Sequence, residues 1–194
     1  MRHSICLEGP AWRIRPVRDE DAPFIVELRN DPALGRYLHG GAANTPQQLD
    51  WLARYYERAG DYYFVVERRD TQSPEGLIAL YDLDTQTQRA EWGRWILKPQ
   101  SLAAVESAWL IYRAAFEVLG LQGVYCRTVA DNQAVVSFHD SCGLTDRERL
   151  TAQFQLGDET LDAIEHRLSR EAWPAVGAQL ERLATLTARR LRRA

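Results

Sequence analysis

Between Asp61 and Leu119 the hydrophobic pattern of the chain changes period once, and that change limits the folds open to it more than any other feature. Asp61 to Arg69, DYYFVVERR, is dense in aromatic and β-branched residues and reads as a strand. The turn-rich DTQSPEG ends it, Leu77 to Leu83 forms the next strand, and after DTQTQR comes Ala90 to Leu97, AEWGRWIL. Strands joined by such short polar links make an antiparallel meander. From Ser101 to Leu119 the apolar residues recur at helical steps instead. Leu102, Val105, Ala108, Trp109, Tyr112, Ala115, Phe116 and Leu119 form one broad stripe, ended by Gly120. Gly123 to Val129, GVYCRTV, is strand-like again, so strand, helix and strand make a parallel crossover.

The flanking segments extend this plan. Trp12 to Val17 alternates apolar and basic residues as a half-buried strand, and an Asp-rich start leads into a short helix to about Asn30, stopped by Asp31-Pro32. Leu34 to Thr45 is Gly-rich and irregular, and Pro46 to Gly60 carries a helical stripe. Asn132 to Ser141 predicts a short helix closed by Gly143. Thr151 to Leu156 and Leu161 to Leu168 flank Gly157-Asp158 as a hairpin, and a helix follows from about Ser169 with Pro174 in its first turn. Neither a repeat nor a low-complexity linker interrupts the chain, so a single domain over 1–194 is expected, with 174–194 as a C-terminal helical extension. The fold class is α/β, with a mixed, mostly antiparallel sheet of about six to seven strands.

Composition narrows the function classes. With 194 residues, 45% hydrophobic and 26% charged, the chain buries one substantial core and is not disordered. A formal net charge of -3 leaves no excess of cations for phosphates, so nucleic acid is not the expected partner. Lys98 is the only lysine, and Arg189, Arg190, Arg192 and Arg193 form a solvated basic tail. Cys6, Cys126 and Cys142 match no zinc spacing and read as reduced thiols, pointing to a cytoplasmic protein. No signal-peptide pattern or apolar run of about 18 residues occurs, so neither export nor a membrane span is expected. His3 and His166 lack partners at ligand spacing, so no metal site is expected, and Ser137 and Ser141 have no triad partners.

The most specific segment is N132-QAVVSFHDSC-G143-L144. Asn132, Phe138, His139, Gly143 and Leu144 each fall on positions of a motif of the GNAT superfamily, the Gcn5-related N-acetyltransferases, which the chain resembles over roughly residues 12 to 173. RNDP at 29–32, AEWG at 90–93, AFEVLGL at 115–121 and REAW ending at Trp173 support the resemblance. Within the superfamily the pattern is most similar to acetyltransferases of nucleotide-linked amino sugars and of ribosomal-protein N-termini. The resemblance implies direct acyl transfer from acetyl-CoA to a primary amine in a ternary complex. It also implies helices on both faces of a sheet that splays after the AEWG strand, leaving a slot where pantetheine makes strand-like hydrogen bonds. Backbone amides of Trp95, Ile96 and Leu97 would line that slot.

One segment departs from the family. Its phosphate loop carries an Arg or Gln, two residues, Gly, one residue, and Gly or Ala. Here K98-PQSLAAVES is shortened, with Leu102 at the central glycine's place and Ala104 small. Glycine lets amides approach a pyrophosphate closely, and a side chain at Leu102 would crowd that approach. Gln100, Ser101 and the helix starting there, with Ala103 and Ala104 following, still offer hydrogen-bond donors, and Lys98 adds charge. A different acyl donor, or a fold that binds a ligand or partner without transfer, is the alternative that this loop raises.

Transfer to an amine requires a neutral nucleophile and a protonated leaving thiol. His139 takes the place of a family acid and would donate to the CoA sulfur or orient the pantetheine arm; a packed histidine bonded to backbone is the competing explanation. Glu91, in the strand bordering the slot, is the candidate base, because a partly buried carboxylate accepts protons at raised pH. Asn132 would bind backbone or pantetheine, or cap its helix. Arg29, Asn30, Tyr37, His39 and Tyr81 are the polar candidates for the acceptor, a small-molecule amine, with His39 on a Gly-rich loop as a second proton acceptor. Pairing of edge strands or of C-terminal helices would allow a homodimer, which no residue requires.

Overall fold

The computed structural model describes residues 2–34, 37 and 41–192. Its strands are β1 (Leu7–Glu8), β2 (Trp12–Pro16), β3 (Tyr62–Arg68), β4 (Pro74–Asp84), β5 (Arg89–Leu97), β6 (Gly123–Val129), β7 (Arg147–Leu156) and β8 (Glu159–Ser169). Its α-helices are α1 (Ala22–Arg29), α2 (Thr45–Tyr56), α3 (Ala104–Arg113), α4 (Gln133–Ser141) and α5 (Trp173–Leu191). A single sheet runs in the order β1-β2-β3-β4-β5-β6-β8-β7. Among the described residues only β5 and β6 pair in parallel, joined by the crossover through α3. All other neighbours are antiparallel.

Against the expected six to seven or so strands, the sheet of the described residues has eight. The extra strand, β1, is two residues long and pairs Leu7 with Ile14 and Glu8 with Arg13. Two residues are too few to show an alternation, so no hydrophobic period announces it. The long apolar stripe also divides: α3 starts at Ala104 rather than Ser101, and its last turn, Ala114–Val118, widens to a π-helix. The C-terminal helix starts at Trp173, where Pro174 takes an early position that needs no intrahelical amide.

Helices cover both faces of the sheet. On one face Trp109, Ile111 and Phe116 of the α3 segment and Leu180 and Ala184 of α5 pack with Trp12, Phe64, Ile78 and Trp92. On the other, Ile25 and Leu28 of α1 and Leu52 and Tyr55 of α2 pack with Tyr63, Val65, Leu77 and Ile96. Because alternate strand residues feed opposite faces, β3 is buried from Tyr63 to Glu67 and β4 from Gly76 to Leu80.

β5 breaks that alternation. Leu77 pairs with Ile96 but Ala79 pairs with Gly93, so β5 holds one residue more than β4 between these positions. Arg94, at φ 47°, marks the bulge. Trp92 and Trp95, three positions apart, consequently belong to the same core, with ring centroids 5.6 Å apart, while Ile96 joins the other.

Candidate active site

The pairing of β5 with β6 comprises Arg89 with Gly123, Ala90 with Val124 and Glu91 with Tyr125, and ends there. Beyond Glu91 the strands part. A cavity of about 630 Å³ occupies the gap, walled by Trp92–Leu97 of β5 and by residues 126–129 of β6. Asn132, Val135 and His139 from the α4 segment, Tyr37 and Leu34 from the α1–α2 link, Tyr81 of β4, and Phe154 and Leu156 of β7 complete its lining.

Glu91 is buried where the strands diverge. Its Oε1 accepts from the Tyr81 hydroxyl at 3.1 Å, and its Oε2 accepts from Arg127 Nη1 at 3.2 Å. Burial pushes the carboxyl above its ordinary range, while Arg127 and the Tyr81 hydrogen bond oppose that rise. Tyr81 reaches Glu91 because residue 93 is glycine; a Cβ there would collide with the tyrosine hydroxyl. Arg127 also donates to Glu165 Oε2 at 2.9 Å, so the guanidinium bridges two carboxylates. Arg94 donates to both oxygens of Asp61, at 2.6 and 2.9 Å, and stands 4.5 Å over the Tyr81 ring.

His139 is buried on the cavity wall, its ring 5.2 Å from Trp92, and its Nε2 lies 3.7 Å from the Cys126 sulfur. Burial, with His166 adding to it, lowers its pKa to about 3, so the ring is neutral across the physiological range. Burial pushes the Cys126 thiol up, so it stays protonated. The contact between the protonated thiol and Nε2 suits either tautomer of the neutral ring, the thiol donating to a bare Nε2 or its sulfur accepting from Nε2–H.

The sequence-predicted residues divide by location. Trp95, Ile96, Leu97, Asn132, His139, Glu91, Tyr37 and Tyr81 line the cavity. Asn132 is the N-cap residue of α4, yet its side chain makes no capping bond. Phe138 packs on Trp95 at 4.9 Å behind the wall. Tyr37 donates to the Asp131 carbonyl at 3.3 Å, tying the α1–α2 link to the loop before α4. Asn30 holds that link by donating to the Ala42 carbonyl at 2.9 Å, and Arg29 bonds the buried Tyr63 hydroxyl, so both support the link rather than line the cavity. His39 lies outside the described residues.

Lys98, Gln100, Ser101, Leu102, Ala103 and Ala104 form the turn between β5 and α3, beyond the cavity's lining. Leu102 is 50% exposed, whereas Ala103 beside it is buried. Lys98 places its ammonium 5.1 Å over the Phe24 ring. Residues that sequence reasoning missed are Arg94, Asp61, Glu165, Cys126, Phe154 and Leu156. Glu91 and Arg127 are 36 positions apart and meet only through the parallel pairing, which no local pattern encodes.

The sequence profile of the acetyltransferase (GNAT) domain matches residues 12–145. No functionally curated protein is similar enough in sequence to match. Among solved structures, apo FdhC, a nucleotide-linked sugar GNAT, is 29% identical and aligns over 91% of this chain and 97% of its own, with a TM-score of 0.76. A GCN5-related N-acetyltransferase from Brucella melitensis, 17% identical, aligns over 94% of this chain and 86% of its own, with a TM-score of 0.81. A mutant of the spermidine N-acetyltransferase SpeG from Vibrio cholerae, 18% identical, aligns over 84% and 95%, with a TM-score of 0.72.

Proposed function

Because the chain belongs to the GNAT acetyltransferase family, we propose that it is an acetyl-CoA-dependent N-acetyltransferase acting on the primary amine of a small molecule, a nucleotide-linked amino sugar foremost. The observation that carries this reading is the parting of β5 and β6 at a buried carboxylate, Glu91. Two diverging strands expose backbone groups that a pantetheine arm can pair with, and they end at a group able to accept a proton.

The chain's residues fit the donor. The β5 segment from Trp95 to Leu97 and Asn132 on the opposite wall would hold the pantetheine arm, and the turn before α3 would face the phosphates. When bound, acetyl-CoA supplies an activated thioester. Glu91 takes the proton of the acceptor amine on a carboxylate oxygen, its raised pKa matching it to that task. Tyr81 and Arg127 hold the carboxylate in place by donating to its two oxygens. His139, as a neutral imidazole, acts as a hydrogen-bonding wall rather than as an imidazolium acid. Phe154 and Leu156 of β7 exclude water from the outer side.

The two guanidiniums of the lining, Arg94 and Arg127, are paired with Asp61, Glu91 and Glu165, so they offer an acceptor hydrogen-bond donors rather than an excess of positive charge. The similarity to a nucleotide-linked sugar GNAT supports a sugar nucleotide as acceptor ahead of a polyamine. A second reading, a module that binds without transfer, is favoured by the missing glycines of the turn before α3, where Leu102 stands at the place of the family's central glycine.

Calorimetric titration with acetyl-CoA separates the two readings: micromolar binding is expected of the transferase, and no binding up to millimolar concentration would favour the module. Thiol release with nucleotide-linked amino sugars, spermidine and peptides bearing free N-termini then ranks the acceptors. Turnover with spermidine above that with every sugar nucleotide would overturn the acceptor class.

A further inference from the structure

The turn before α3 has no glycine, yet it adopts a defined path, and one carboxylate from β4 accounts for that. Glu75 Oε2 accepts from the Ser101 hydroxyl at 2.7 Å and from the Trp12 indole N–H at 2.8 Å. Ser101 Oγ in turn accepts from the Ala103 amide at 3.2 Å. The Glu75 carbonyl accepts from the Lys98 amide at 2.8 Å, and the Lys98 carbonyl accepts from the Ser101 amide at 3.1 Å. Residues 98, 101 and 103 are thus tied, directly or through Ser101, to one residue.

This tether is needed because the backbone is strained. Gln100 sits at φ 67°, a left-handed conformation that a non-glycine residue holds only when its surroundings impose it. The tether also directs Leu102 outward, away from the buried Ala103 that follows it. Trp12, itself buried, links the arrangement to β2, and Arg68 Nη1 faces the other Glu75 oxygen at 4.0 Å.

We propose that Glu75 is the positioning residue of the donor-phosphate turn, holding residues 98–103 open in place of the missing glycines. The inference rests on the donor reading given above. Glu75 touches neither the acceptor nor the thioester; it acts through Ser101. Its effect is confined to the part of the donor beyond the pantetheine arm.

The test compares acetyl-CoA with S-acetylpantetheine, which lacks the nucleotide and its phosphates. In Glu75→Ala and in the milder Ser101→Ala, KM for acetyl-CoA is expected to rise about tenfold with kcat unchanged, while the kinetics with S-acetylpantetheine stay as in the parent. Glu75→Gln, whose amide oxygen can accept both hydrogen bonds, is expected to remain within about threefold of the parent. Unchanged KM for acetyl-CoA in Ser101→Ala and Glu75→Ala would overturn the inference alone, as would an equal loss with both donors, which marks a merely structural role. A parent protein that binds no CoA would overturn the donor reading and this inference with it.

Discussion

Glu91 and Glu106 are both buried glutamates whose carboxyls burial raises above the ordinary value of 4.5, yet they sit in regions built for different ends. Glu106, in the first turn of α3, accepts from the Ala11 and Trp12 amides at 2.8 and 2.7 Å, and its other oxygen is enclosed without a hydrogen-bond partner among the described residues. It fastens the β1–β2 turn to the helix. Glu91 lines a cavity, and its partners are side chains, Tyr81 and Arg127. A raised pKa therefore marks burial in both, and only access to a cavity distinguishes a base from a clasp.

The largest expected separation is kinetic. Glu91→Gln should lower kcat by about 10²–10⁴-fold, the usual contribution of a general base, with an unchanged melting temperature, whereas Glu106→Gln stays within a few-fold of the parent. Equal losses in steady-state turnover would erase the contrast. Next comes stability: Glu106→Ala strips two buried amides of their acceptor and should cost about 2–4 kcal/mol in urea unfolding, with kcat of the folded fraction preserved.

The pH dependence distinguishes them more finely. Glu91 must be ionised to accept a proton, so kcat/KM should rise with pH through a pKa above 4.5, and Arg127→Met, removing the opposing cation, should move that limb further up. Glu106 acts on stability with a defined sign. Its folded-state pKa exceeds the unfolded one, so the stability tied to its protonated form is complete below pH 4.5 and is lost as pH rises through the folded value. Urea midpoints of Glu106→Gln should accordingly lack that decline. The smallest effect concerns His139: His139→Ala should reduce turnover by about tenfold or less and leave the pH–rate profile unchanged between about pH 5 and 9, because the ring stays neutral there. A lost inflection in that range would return His139 to the role of acid.

Of the two glutamates only Glu91 is legible in the sequence, and the reasons for what is and is not legible are physical. The β3–β5 meander and the α3 stripe were legible because their side chains alternate or recur with the period of the element they form. Glu91 could be named from its place in the strand before the crossover, but Arg127 could not be named as its partner, because their meeting depends on the register of β5 against β6. Phe154 and Leu156 reach the cavity only because β7 is placed beside β8 at the sheet's end, and a hairpin's own sequence does not say what its outer strand will cover. Leu102 looked obstructive because a residue type carries no information about its direction; the tether through Glu75 and Ser101 decides that.

The extra residue in β5 has a bearing on which changes of length the chain tolerates. A substitution at Gly93 or Arg94 alters one side chain, and deletion of Arg94 would set Trp95 opposite Ile78 and restore strict alternation with Ile96 still opposite Leu77. Trp95 and Leu97 would keep the core they share with α3 and Ile96 would keep the other, so the loss of three nucleotides would remove the Arg94–Asp61 pair and leave both cores in place. At the bulge the count of residues is therefore freer than at the regular positions of the strand, where losing one residue reverses every side chain beyond it, and a comparison of related sequences that scores only mismatches would overlook the difference.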